Sequence, residues 1–476
     1  MKKFAKFLIP MLALILVAAF CAIPMSAADD VIFVADGGTG DGSSADSPMG
    51  NGPGYATWSI EAYQEHSLNM AIAKLAENGK GGTIVICGPV TVNYGRQKES
   101  DAKGASDFRL QPQYTEPADK VADTFSHLNY TFTSVYNGVD YRTTNNAAVI
   151  MERTAAQCLC MEVRVGSTWE NITYRVNNTA DRNQTLGNNI FSCFNQKTVI
   201  GEGFVVEAFV EGEKKEPTTE NALYFPSLSA GSRYANLTGD TDLVVKSGTW
   251  NHISGSSFGF GGTSNTNGKL EGNAKFEFGG TAVALGGIHG GSGQTGGSLS
   301  GNCETIISGG TINGTVNIAG AGGFIGTESS AKMTITGGDF TGVDSINDYG
   351  VGLANNPPKF TMLDLSGLTV EAAQTVYNLV SYVDEIVTPD GFAPATSAPE
   401  TTTAAPETTT AAPETTPAPE TTAAPEKDDE TTAPAPSAPS APKAEGGNTG
   451  LIIGIVVAVV VVIAVVAVIV LKKKKA

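Results

Sequence analysis

The chain has 476 residues, 41% of them hydrophobic and 16% charged, and a formal net charge of −18. A protein that grips nucleic acid needs a basic face to neutralise phosphates, so this acidic excess argues against a nucleic-acid partner. What positive charge is concentrated anywhere sits at the two ends.

Residues 1–28 have the form of a secretory signal peptide. Lys2, Lys3 and Lys6 precede an apolar run from Phe7 to Ile23, and Ser26-Ala-Ala28 supplies small residues for cleavage. The expectation is export of the chain from residue 29 onward. Of the six cysteines, Cys21 leaves with the signal. Cys87, Cys158, Cys160, Cys193 and Cys303 remain, an odd and scattered set that reads as small buried hydrophobes, not as a disulfide framework.

Residues 29–395 form the expected folded body. Ser67 opens a helical pattern, with Leu68, Ile72 and Leu75 on one face and Gly79 as the stop. Further on, glycine becomes dense, with 28 of the 56 glycines between 239 and 342. A repeat accompanies it: Asn236-Leu-Thr-Gly-Asp240, Lys269-Leu-Glu-Gly-Asn273 and Ser298-Leu-Ser-Gly-Asn302. Each is followed by an alternating run, such as Ala274-Lys-Phe-Glu-Phe278, and then by a glycine turn at Gly248, Gly280, Gly310 or, in a weaker copy, Gly338. Short period-two strands, sharp turns and a repeat near 30 residues predict a solenoid of stacked strands, with glycine where the backbone needs a positive φ. Near the end of the body, Val370, Ala373, Val376, Tyr377 and Val380 recur at helical spacing before a strand-like Asp384-Glu-Ile-Val387. The two helices are the candidate covers for the open ends of the stack.

Residues 396–449 change character. Pro-Glu pairs at Pro399, Pro406, Pro413, Pro419 and Pro425 stand in Thr/Ala filler, which offers nothing to build a core. The expectation is a disordered Pro/Thr/Glu-rich stalk reaching up to about 170 Å if extended. Residues 450–476 then supply a transmembrane helix, Leu451 to Leu471, and the basic tail Lys472 to Lys475. That length spans a bilayer, and the lysines place the C-terminus in the cytoplasm and the body outside. The end also resembles a sortase sorting signal, but of its Leu-Pro-x-Thr-Gly pattern only Thr449 and Gly450 are present in Gly446-Gly-Asn-Thr-Gly450. A retained single-pass anchor is therefore preferred over attachment to a wall.

One stretch resembles a known group. Phe33-Val-Ala-Asp-Gly-Gly-Thr-Gly-Asp-Gly-Ser-Ser-Ala-Asp-Ser-Pro48, then a helix, then Gly81-Gly-Thr-Ile-Val-Ile-Cys-Gly-Pro89, is similar to the opening of pectin-lyase-like right-handed parallel β-helix proteins. The resemblance covers residues 33–90, and 230–345 by style of repeat. It implies an all-β, right-handed parallel β-helix with N- and C-terminal helical caps. Many members are polysaccharide lyases or hydrolases, and others are surface adhesins.

The chemistry of this chain favours binding over turnover. Members resembling polygalacturonases carry an adjacent Asp pair, Gly-His-Gly and Arg-x-Lys. Here Asp-Asp occurs only at Asp29-Asp30 and Asp428-Asp429, and Gly287-Ile-His-Gly290 has an extra residue. Lyases of this fold use a cation and a basic residue near the middle coils. Between 240 and 345 there is no arginine, and Lys246, Lys269, Lys275 and Lys332 are the only basic residues. Arg153, Arg164, Arg175 and Arg182 lie upstream, without a spacing that demands a site. His66, His127, His252 and His289 are scattered, and each reads as a surface or stacking residue. Trp250, beside a glycine turn and near Phe258 and Phe260, is the candidate for stacking on a sugar ring, with a core position as the competing account. Asp36, Asp41 and Asp46, five apart in a Gly-rich loop, are the candidate calcium ligands, with turn formation as the competing account. The expected role is a bacterial cell-surface protein, glycan-binding or adhesive, toward an extracellular polysaccharide or host glycan. The alternatives are a polysaccharide lyase or glycoside hydrolase acting on a pectin-like polymer, and a structural surface protein.

Overall fold

The computed structural model describes residues 30–50, 65–93, 107–113, 125–153, 160–178, 190–232, 235–257, 268–293, 298–320, 323–324, 329–347 and 358–394. The segments expected to be a signal peptide and a stalk, the apolar segment Leu451 to Leu471, Phe258 and Phe260 lie outside the described residues.

The described chain is mostly strand, stacked in long parallel sheets. A first face runs from Val31–Val34 through Gly81–Ile86, Asn129–Thr133, Gly166–Glu170, Thr198–Ile200, Thr241–Val245 and Ala274–Phe278. It continues into the starts of Cys303–Asn317 and Ser330–Asn347, and on to Phe360–Asp364 and Glu385–Val387. A second face runs from Asp107–Leu110 through Cys160–Val163, Ile190–Ser192, Ser227–Ser229, Thr249–Ser254 and Val283–His289. Because the two long strands pair on the first face with their first halves and on the second with their second halves, the two faces form one 18-stranded sheet. A five-stranded third face joins Pro89–Asn93, Ala148–Arg153, Thr173–Asn178 and Val205–Val210 in parallel, and Glu213–Lys215 closes it as a hairpin.

Register makes the core. On the first face Ile32, Ile84, Phe132, Trp169, Ile200, Val245, Phe278, Ile307 and Ile335 are successive partners, and all are buried. Adjacent strands lie about 4.8 Å apart, so this is a continuous apolar stack. Each fully buried member contributes about 1.5–3 kcal/mol relative to exposure. Phe132 and Trp169 stack face to face with ring centroids 4.0 Å apart.

The sequence repeat is now explained by backbone chemistry. Leu237, Leu270 and Leu299 stack on one another in a small four-stranded sheet. The Asx that ends each motif ties coil to coil. Asn273 N donates to Asp240 Oδ1 (2.7 Å, 33 residues apart), Asn302 N to Asn273 Oδ1 (3.0 Å, 29 apart) and Ser330 N to Asn302 Oδ1 (2.9 Å, 28 apart). The turn glycines Gly248, Gly280, Gly310 and Gly338 have φ of 88°, 60°, 80° and 121°, where a Cβ is strained.

Both expected helices are present, as Ser67–Ala76 and Val370–Tyr377. The first buries Leu68, Ala71, Ile72 and Leu75, but its N-cap is His66, not Ser67. Nδ1 of His66 accepts from Leu68 N at 3.3 Å, and Nε2 sits 3.2 Å from Thr91 O. The second buries Ala373 and Val376, capped by Thr369, whereas Val370 is exposed at its first turn.

Candidate functional site

Trp250 is not available to a sugar. Its strand turns inward at Gly248, and the indole is fully buried, stacked on Phe204 at 5.6 Å with Nε1 donating to Ser247 O at 3.2 Å. A Cβ on Gly248 would stand 2.9 Å from that same Nε1, so the turn both requires glycine and tucks the ring beneath it. The competing core account is the correct one for this residue.

Two of the three candidate calcium ligands are separately engaged. Oδ2 of Asp36 accepts from Thr91 N at 2.9 Å, and burial raises its carboxyl. Asp41 accepts from Ser43 N at 3.0 Å and Ser47 Oγ at 3.3 Å, and these hydrogen bonds, that of Ser43 foremost, hold its carboxyl low. Asp46 is exposed. Among the described residues no group of three or more His, Cys, Asp or Glu side chains is placed to hold a metal ion. Asp41 holds its own turn, whereas Asp36 ties the loop to the strand Pro89–Asn93.

What the register does assemble lies on the second face. Phe108, Met161, Phe191, Leu228, Ile253, Ile288, Val316 and Ile346 are successive partners and belong to the core. Strand alternation turns the next residue of each strand to the opposite side of the sheet. Those residues are Arg109, Glu162, Ser192, Ser229, Ser254, His289, Asn317 and Asn347, a polar row along the whole face.

The row has three parts. At its start, Glu162 Oε2 accepts from Arg164 Nη2 at 2.7 Å and Nε at 3.2 Å, with Arg109 Nε at 3.7 Å, and Oε1 accepts from Ser232 Oγ at 3.1 Å. Arg164 is fully buried, its guanidinium 4.1 Å over the Phe194 ring. In the middle, the hydroxyls are used internally. Ser192 donates to Gly231 O at 2.7 Å and Ser229 to Ser256 O at 2.9 Å.

The last part is a small cluster. His252 and His289 have ring centroids 5.7 Å apart. His252 lies opposite Gly287 in register, and its Cε1–Nε2 edge lies over Gly286, where a Cβ would stand 2.7 Å from Cε1. The missing side chain of Gly286 is what lets the ring lean onto the next coil. His289 Nδ1 is 2.9 Å from Asn317 Nδ2, and Asn347 Nδ2 donates to Ser345 Oγ at 3.1 Å. Burial pulls both imidazoles below their ordinary range, His289 to about 3 with His252 adding to the effect. Both rings are therefore neutral near pH 7, each with one lone pair. Nδ1 of His252 and Oδ1 of Asn317 are buried without a hydrogen-bond partner.

The solvent side of the first face is different. Asp242, Lys275, Glu304 and Lys332 are successive partners of alternating sign. Lys197 reaches Asp242 at 3.4 Å, and Lys332 reaches Asp364 at 3.5 Å. That row neutralises itself.

No family model, no curated protein and no solved structure matches this chain. Sequence reasoning named His252, His289 and Arg164 singly and missed Arg109, Glu162 and Asn317. Only their recurrence at one position of each coil connects them.

Proposed function

We propose that this is a membrane-anchored bacterial surface protein whose body, a right-handed parallel β-helix akin to the pectin-lyase-like group, binds an extracellular glycan along the C-terminal part of its second face. In this reading the helices Ser67–Ala76 and Val370–Tyr377 cover the ends of the stack, and residues 396–449 hold it away from the bilayer crossed by Leu451 to Leu471.

The observation that carries the reading is the chemistry of the side chains on the non-core side of that face. His252, Thr315 and Ser345 are half-buried imidazole and hydroxyl groups placed by register on successive coils, next to the buried Ser254, His289, Asn317 and Asn347, and none of them is charged near pH 7. Neutral donors and acceptors at a fixed spacing suit a polymer of hydroxyls, whereas the first face offers charges of alternating sign, with Asp242 and Lys332 already in ion pairs to Lys197 and Asp364. Thr315 and Ser345 are half-buried and adjacent, so they are positioned to meet a ligand.

The test uses the full chain in mild detergent against plant, host and bacterial polysaccharides, with and without calcium, scored by affinity electrophoresis and by release of reducing ends or unsaturated products. Retardation by a polymer is expected, weakened about fivefold or more in Thr315→Ala/Ser345→Ala through loss of two hydrogen bonds. Retardation by none of them would sink the glycan reading. Release of products would replace it with the lyase or hydrolase alternative.

A further inference from the structure

We infer that His252 and His289 form a binding site for a late first-row divalent cation such as Zn²⁺, Ni²⁺ or Cu²⁺, each histidine giving one ring nitrogen. The site stands whether or not a glycan lies on the face.

Geometry is the first support. A metal about 2.1 Å from a ring nitrogen lies about 3.2 Å from the ring centre, so two tetrahedral imidazole ligands have centres about 5.2 Å apart and two opposed ones about 6.4 Å apart. The observed 5.7 Å falls between these limits. The pair is not a chance meeting of two long side chains. Gly286 has no side chain where the His252 ring lies, and that absence lets the ring sit beside a histidine of the next coil.

Protonation and polar bookkeeping agree with this. A metal takes a neutral imidazole, and burial keeps both rings in that form. A buried ring nitrogen of His252 has no hydrogen-bond partner, a cost that a conformation poised for a ligand would carry. Asn317 sits where a ligand histidine's outer partner belongs. Its Nδ2 faces His289 Nδ1, while its unpartnered Oδ1 would accept from a protonated Nδ1 after a half-turn of the amide, freeing Nε2 as the ligand atom. No third His, Cys, Asp or Glu among the described residues completes the sphere, so water would fill the rest and affinity would be moderate. Copper and nickel are expected to bind more tightly than earlier metals of the row.

The experiment is calorimetric titration of the chelator-stripped full chain in detergent with Zn²⁺, Ni²⁺ and Cu²⁺. One equivalent is expected to bind with a Kd of roughly 1–100 µM. His252→Gln, at the more accessible of the two rings, should weaken it at least tenfold, and His127→Gln, at an exposed histidine elsewhere, should leave it unchanged. Asn317→Asp gives His289 a carboxylate partner and should tighten binding about tenfold, a gain that a misfolded protein cannot mimic. Absence of saturable binding for all three cations up to about 1 mM overturns the inference. So does binding that is unchanged in His252→Gln.

Discussion

Glu162→Gln tests the charged end of the polar row. The carboxylate is buried, accepts from Arg164 and Ser232 and lies 3.7 Å from the Arg109 guanidinium, while Arg164 has no solvent contact at all. A glutamine keeps the shape but removes the charge, leaving a guanidinium buried against Phe194 with only neutral partners. Breaking a buried pair in this way costs about 3–5 kcal/mol, whereas an exposed pair is worth at most about 1 kcal/mol. The assay is amide hydrogen exchange read by peptide across Cys160–Val163 and Gly166–Glu170, because a stacked solenoid can open locally without unfolding as one unit. Protection there should fall by about two to four decades, at about 1.4 kcal/mol per decade. The double variant Glu162→Gln/Arg164→Met removes the orphaned cation and should recover most of the loss. A fall of less than about one decade in the single variant would refute the reasoning, since the site would then behave as surface.

Other consequences come from the same structure. His66 is buried and its imidazole is pushed from 6.5 down to about 4, chiefly by burial, so the unfolded chain binds the proton first. Its contribution is therefore complete above pH 6.5 and is lost as pH falls toward 4, about 3 kcal/mol in all. His66→Asn, which can still cap the helix but does not titrate, should flatten that part of the urea-midpoint profile, and an unchanged profile would exclude the assignment. Cys87, Cys160, Cys193 and Cys303 are buried and in no disulfide, and burial raises three of the thiols, Cys193 and Cys303 to about 12 and Cys87 to about 11. Maleimide mapped by mass spectrometry should leave all four unlabelled in native protein and label them in urea, and native labelling of any one would contradict its placement. Lys275→Glu puts three carboxylates in line with Asp242 and Glu304 and should cost about 1 kcal/mol in low salt, with most of it recovered in high salt. Loss that ignores salt would mean that packing, not charge, is at stake.

Parts of this molecule could be read from the sequence because their requirements are local. A turn at positive φ demands glycine, so Gly248, Gly280 and Gly310 announced themselves. The Leu-x-Gly-Asx motif recurs because the leucine stacks and the Asx bonds to the coil before it. Other features depend on register, which composition does not carry. Ser229, Ser254, His289 and Asn317 are neighbours in space and nothing alike in sequence. Trp250 leaves two accounts open in the sequence, sugar stacking and a core position, and local alternation does not decide between them because the strand shifts register between Trp250 and His252; its burial does. The earlier coils escaped notice as repeats because their spacing varies. Ile32 pairs with Ile84 across a long excursion, while Phe278 pairs with Ile307 after one short coil. A stack requires only that each level be apolar, so Phe132, Trp169 and Ile200 serve equally and leave no motif.

The contrast between the two long faces arises from stacking itself. Side chains at one position of successive coils are held about 4.8 Å apart, so a row of like charges would repel at every step. A charged row must therefore alternate, and Asp242, Lys275, Glu304 and Lys332 do so. Once alternated, the four charges sum to zero, and two of them, Asp242 and Lys332, are held in ion pairs by Lys197 and Asp364. A neutral row faces no such constraint, and its members can turn to other partners. On the second face the serines of the middle coils have spent that freedom on backbone carbonyls. The His252–His289–Asn317 cluster has not, and it keeps two polar atoms buried and unpartnered. Buried polar atoms without a hydrogen-bond partner occur elsewhere too, Gln111 Nε2 beside the Glu162 network and Ser256 Oγ among them. What singles out this cluster is that its open atoms belong to, or lie beside, two neutral imidazoles whose centres are 5.7 Å apart, groups suited to a metal ion.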